Sequence, residues 1–204
     1  MPLIIKRIKQ RTRMELEYIE ETIENKDFSN QSIAKHNYEC CTFKNCDFAN
    51  ADLSECKFIE TEFIDCNFSN ANITRASFQD VKCTQCKMLG LQFDKCNAFS
   101  FTIHFDHCQL NHSSFYQMKL NRSSFLNSQL ESVDFTEADL KKVVLRHCNL
   151  LNATFDNTNL ENADLSGSTH YAIDPEMNKV KGASFSLPEV VGLLSKYNIK
   201  IKQS

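Results

Sequence analysis

Between Ala51 and Phe78 a large apolar residue stands at every fifth position: Leu53, Phe58, Phe63, Phe68, Ile73 and Phe78. Two residues before each stands a small one: Ala51, Cys56, Thr61, Cys66, Ala71 and Ala76. A period of five rules out both regular structures. On an α-helix, five residues advance about 500°, so each apolar side chain falls about 140° round from the last and no core face forms. On a flat strand, side chains alternate, and an odd period sends successive Phe residues to opposite faces. The chain must instead turn once per pentad, so that positions i and i−2 always point inward. Four corners close a square coil of about 20 residues, and coils stack at the ladder spacing of about 4.8 Å.

The closure has independent support. Phe115, Phe135 and Phe155 repeat at a separation of 20, as do Leu110, Leu130 and Leu150, and Leu120, Leu140 and Leu160. Like stacks on like, which a five-residue period alone does not require. Only 4 Gly and 3 Pro occur in 204 residues, so the repeat makes its corners without ordinary turn residues. Of the ten Cys, eight (Cys41, Cys46, Cys56, Cys66, Cys86, Cys96, Cys108 and Cys148) occupy the inward i−2 site. There Cys is exchanged with Ala, Ser and Val as a small core residue. Buried free thiols point to a reducing compartment.

The first repeat block has centres from Phe28 through Ile33, Tyr38, Phe43 and Phe48 to Phe78, and weakens over Cys83, Met88, Phe93, Ala98 and Ile103. The second runs from Phe105 to Leu165, every centre Phe or Leu, and extends through Val180 to Phe185. The phase slips by two near 98–105. Residues 26–185 thus read as one solenoid of about seven coils, roughly 34 Å long at the ladder spacing. Residues 1–25 carry five bases and then five acids. Thr12 and Glu15 have capping-box spacing, and Leu16, Ile19 and Ile23 predict a short amphipathic helix over 13–24 that caps the solenoid. Residues 186–204 change character. Ser186-Leu-Pro-Glu189 is a second capping box, and Val190, Val191, Leu193, Leu194 and Tyr197 predict a helix over 187–197. Asn198 to Lys202 alternates like a short strand. An apolar helix at an open end predicts a homodimer through Leu187, Val190, Val191, Leu194, Tyr197 and Ile199.

The stretches ANADLS, SNANIT, EADL and ENADLS resemble the motif of the pentapeptide-repeat family, A(D/N)LXX with Leu or Phe at its centre. The resemblance spans about residues 26–185 and implies an all-β fold, a right-handed quadrilateral β-helix. The ending FSLPEVVGLLSKYNIKI resembles that of Qnr-like gyrase-protection proteins, which implies a two-fold dimer through this element.

Chemistry is sparsely represented. Cys83 and Cys86 form one C-x-x-C, without the second pair that zinc requires, and both point into the core. His104, His107 and His112 cluster around Cys108 beside the slip, in no standard ligand spacing. No Gly-rich phosphate loop and no nucleophile elbow is present. Uniform coils offer no deep cleft, so neither an enzyme nor a cofactor is expected. The sequence holds no apolar run long enough to cross a membrane and no signal-peptide apolar region after LII, so a cytoplasmic protein without membrane contact is expected.

Charge and shape remain. Residues 26–183 hold 20 acids and 15 bases, against roughly 20 charges on 34 Å of B-DNA at one per 1.7 Å. Any mimicry of DNA is therefore local, and no direct nucleic-acid binding is expected. Two acid groups qualify: Asp47, Asp52, Glu55, Glu60, Glu62 and Asp65 in the first block, broken only by Lys57, and Asp134, Glu137 and Asp156 in the second, with Asp174 and Glu176 nearby. The resemblance implies a partner, DNA gyrase or a related type IIA topoisomerase, and protection of it from quinolones or toxins. The alternative is an interaction scaffold with a different partner.

Overall fold

A computed structural model describes residues 16–202. The chain winds into a right-handed quadrilateral β-helix whose coils stack in parallel. The first wall holds β1 (Glu17–Ile19), β3 (Asn37–Glu39), β5 (Lys57–Ile59) and β7 (Ser77–Gln79), paired in that order. The second holds β2 (Thr22–Glu24), β4 (Thr42–Lys44), β6 (Glu62–Ile64), β8 (Val81–Thr84), β9 (Ile103–Asp106), β10 (Ser124–Leu126) and β11 (Val144–Arg146) in one seven-stranded ladder. The third and fourth walls are single bridges, such as Asp47 with Asn67 and Asp52 with Asn72. Nearly every pairing joins residues 20 apart, as Phe43 with Phe63 does.

The centres form continuous stacks. Phe43 lies on Phe63 with centroids 5.0 Å apart and planes 16° from parallel, while Phe63 meets Phe68 edge-on at 4.9 Å. Stacking runs along the rod and edge contacts run across it, each adding about 0.5–1.5 kcal/mol beyond the area buried. Corner residues, two after each centre, adopt the left-handed conformation, as Asn50 (φ 55°) and Glu55 (φ 60°) do. Asn is the commonest residue there, because its short amide tolerates positive φ. That is how the chain turns with so few glycines.

Two expected elements differ. Over the described part of 13–24 there is no helix: β1 and β2 are strands, with Tyr18 under Tyr38 and Ile23 under Phe43. Tyr18 and Ile23 are themselves pentad centres, and coil stacking overrides the weak helical spacing. The coil therefore begins before residue 26. The basic run before residue 16 lies outside the described residues. At the other end, residues 198–202 form no strand, because Asn198 turns left-handed (φ 48°) and carries the chain away from any ladder.

The phase slip is a two-residue insertion in one coil. Asn97 still stacks on Ser77, with Nδ2 donating to Ser77 Oγ at 3.1 Å, but Val81 pairs with Ile103, 22 residues on. The extra length sits at one corner. Phe101 turns inward against Phe78 and Phe93 in the place Ala98 would fill, and Phe99 is pushed outward, 74% exposed. A short 3₁₀ turn, Phe93–Lys95, precedes it.

Candidate interaction surfaces

The inward i−2 site carries more than small apolar residues. Its thiols and hydroxyls donate to the same two carbonyls in coil after coil. Thr61 Oγ1 donates to Tyr38 O (3.2 Å) and Ile59 O (3.1 Å), and Cys66 Sγ to Phe43 O (3.6 Å) and Ile64 O (3.3 Å). Thr158 does the same with Phe135 O and Asp156 O. Burial pushes the Cys56 thiol up to about 12, so it stays a neutral donor. Cys83 and Cys86 are both buried in the core. His104, His107 and His112 are not brought together. His104 lies on the second wall against Ser124 Oγ (2.9 Å), His107 at a corner beside Asp106 (2.8 Å), and His112 at the next corner. Among the described residues no group of three His, Cys, Asp or Glu side chains is arranged to hold a metal ion.

The acids of the first block do not share one surface. Asp52 lies on the fourth wall, Glu55 at the corner between fourth and first, Glu60 between first and second, Glu62 on the second, and Asp65 between second and third. Several are internally paired. Burial alone would raise the Asp52 carboxyl, but hydrogen bonds from Ser54, Ser32 and Asn72 hold it below the usual range. Glu55 is lowered by the Arg75 hydrogen bond at 2.5 Å, and Glu62 pairs with Lys82 at 2.9 Å. Consecutive pentads in a coil face successive walls, so nearness in sequence is not nearness in space.

The second group does converge. Asp134 and Asp156 point out from the fourth wall, and Glu137 stands at its corner, receiving Gln117 Nε2 at 2.7 Å. Asp52 and Asp94 stand further up the same wall, and between Ser32 and Asp156 its outward positions hold no Lys or Arg. Asp94 was not singled out by sequence, because its pentad lies in the weakened stretch.

The tail forms a 3₁₀ helix, Glu189–Tyr197, rather than an α-helix. On a three-residue turn, side chains three apart eclipse. Val190, Leu193 and Lys196 therefore make one half-buried row toward the coil, and Val191, Leu194 and Tyr197 make a second row, exposed. Leu193 packs on the core. Lys196 Nζ binds Asp174 at 2.8 Å and Glu176 at 2.6 Å, and Tyr197 donates to Glu176 at 3.0 Å. Asp174 and Glu176 thus hold the tail and are withdrawn from the acidic wall. Of the six residues expected at a dimer interface, Val190 faces the coil, while Leu187, Val191, Leu194, Tyr197 and Ile199 are exposed.

The geometry agrees with what is known of other chains. No curated protein sequence matches this one. Among solved structures, a trypsin-treated variant of QnrB1, a plasmid-mediated fluoroquinolone resistance protein, superposes with a TM-score of 0.70 at 15% identity, covering 91% of this chain and 97% of that one. A second trypsin-treated QnrB1 variant gives a TM-score of 0.61 at 16% identity, covering 91% and 100%. At these identities the likeness is one of fold. The sequence profile of the pentapeptide repeat region matches residues 36–103 and 100–185, its two segments meeting at the insertion. The chain belongs to the pentapeptide repeat family.

Proposed function

We propose that the protein is a non-enzymatic, Qnr-like modulator of a type IIA topoisomerase, DNA gyrase first among them, acting in the cytoplasm. The observation that carries this reading is the fourth wall. Asp52, Asp94, Asp134 and Asp156 stand on a wall whose outward positions hold no Lys or Arg, with Glu137 at its edge; Lys35, Arg75 and Lys95 share that edge toward the N-terminal end, where Arg75 neutralises Glu55. A stiff rod with one acidic wall can occupy a groove built for duplex DNA, and competition for that groove needs no covalent step. The fold likeness to QnrB1, described as a fluoroquinolone resistance protein, supports the choice of partner.

The exposed row Val191, Leu194 and Tyr197, with Leu187 and Ile199, supports association of two copies at this end. Two rods joined there double the length of acidic wall. Equilibrium binding to gyrase, with and without duplex DNA, tests the reading: binding that DNA displaces supports it, and binding indifferent to DNA removes the mimicry. Recovery of a different partner from host lysate, with no affinity for gyrase, would establish the scaffold alternative.

A further inference from the structure

The fold sorts charge by wall, and the first wall of the C-terminal half is the reverse of the acidic one. On four successive coils, at residues 119–122, 139–142, 159–162 and 179–182, it presents Lys119, Arg122, Lys141, Lys142, Lys179 and Lys181 against only Asp139 and Glu161. The register is direct: Lys119 stacks on Asp139, Asp139 on Asn159 and Asn159 on Lys179. Lys141 pairs with Glu161 at 2.7 Å. Lys119, Arg122, Lys142, Lys179 and Lys181 are exposed and make no ion pair among the described residues. Asp139 is turned to its own wall, accepting from the Lys141 amide (3.2 Å) and Asn159 Nδ2 (2.9 Å). Asn121, Asn159 and Asn162 interleave further amide donors.

We propose that this wall binds the sugar-phosphate backbone of duplex DNA without reading its sequence. Two features favour DNA over an acidic protein. Protein interfaces carry an apolar, aromatic centre, whereas DNA-binding surfaces are polar and positive. No large apolar side chain is exposed on this stretch of wall; the exposed ones lie at Phe99, Tyr116, Leu151, Met177 and the tail. The spacing also fits. Three ladder steps span about 14 Å, over which a duplex presents about four phosphates per strand. The expectation of no nucleic-acid contact came from the net charge of the whole rod, which averages walls that the coil holds apart. The inference is independent of the topoisomerase reading, because it concerns free DNA and a different wall.

The test is fluorescence anisotropy of a labelled duplex of about 20 bp, titrated with the full chain at KCl from about 25 to about 200 mM. Log affinity should fall linearly with log salt, with a slope between about −3 and −4, as four neutralised phosphates require. The variant Lys119→Glu, Lys179→Glu, Lys181→Glu should bind at least about tenfold more weakly at 50 mM KCl, and Lys44→Glu with Lys87→Glu, on the second and third walls, less than about twofold more weakly. Circular dichroism confirms that each variant folds, and the corresponding triple Gln variant replaces the Glu one if it does not. No anisotropy change at low salt with about 100 µM protein overturns the proposal, as does wild-type affinity in the folded triple variant. Competition by polyglutamate as effective, per charge, as by unlabelled DNA overturns it in favour of an acidic protein partner.

Discussion

The backbone of Gly192 lies directly on Tyr171: a Cβ at position 192 would stand 2.1 Å from the Tyr171 carbonyl oxygen. The Ile173 amide donates to the Gly192 carbonyl at 3.2 Å from the same strip of coil. This close approach docks the tail on the last coil and sets which of its rows faces out. Gly192→Ala should therefore lift the tail. A backbone oxygen cannot move aside as a flexible side chain would, and overpacking of this kind costs about 1–3 kcal/mol. Chemical denaturation would show the loss, and faster hydrogen exchange at Val190 to Lys196 would locate it.

The two rows of the tail should separate by mutation. Leu194→Glu, in the outer row, is expected to give a monomer by light scattering with the unfolding midpoint of the single chain unchanged. Leu193→Ala, in the inner row, is expected to lower stability by about 1–2 kcal/mol, as loss of a half-buried Leu should. A dimer that survives Leu194→Glu would place the interface elsewhere.

Tail docking should depend on pH through Lys196. Its ammonium is raised by the hydrogen bonds it donates to Asp174 and Glu176, and both carboxyls are lowered by Lys196 in return. Carboxyls lowered in the folded state stabilise it above their unfolded pKa, about 4, and that contribution fades as pH falls through the folded values. The raised Lys stabilises fully below its unfolded pKa, about 10.4, and its contribution fades as pH rises through the folded value. Docking is thus firmest between about pH 5 and pH 10. The protection factors of the tail amides against hydrogen exchange should fall as pH drops below about 5 in wild type, and Lys196→Met should flatten that fall.

Cys66→Ser should be nearly neutral, within about 1 kcal/mol, because Phe43 O and Ile64 O already receive the thiol and can receive a hydroxyl. Cys66→Leu should cost about 1–3 kcal/mol by overpacking. Thermal unfolding of the two variants decides whether the site is specified by size and a donor or by sulfur.

The period-five pattern carried the fold, since the inward pair at i and i−2 is a purely local geometric demand, and the offset of two near residue 100 located the insertion. What the pattern could not show was which wall each outward residue joins. Asp52 and Asp65 are 13 apart in sequence and face different walls, whereas Asp52 and Asp94 share one. The acidic wall and the basic wall both appear only once coil phase is known. Ile23 was hidden for a different reason: it fits both a helical spacing and a pentad, and only its pairing with Phe43 in the ladder decides. The second row of the tail depended on a three-residue turn, where the apolar spacing suggested an α-helix.

The most direct test of the functional account is a gyrase supercoiling assay with ciprofloxacin, run with and without the purified protein. The account predicts that supercoiling persists at drug concentrations that otherwise abolish it. It also predicts that reversing the fourth-wall acids Asp134, Glu137 and Asp156 to Lys removes the effect while the rod stays folded. Unchanged supercoiling and unchanged drug inhibition over the full range of protein concentration would contradict it.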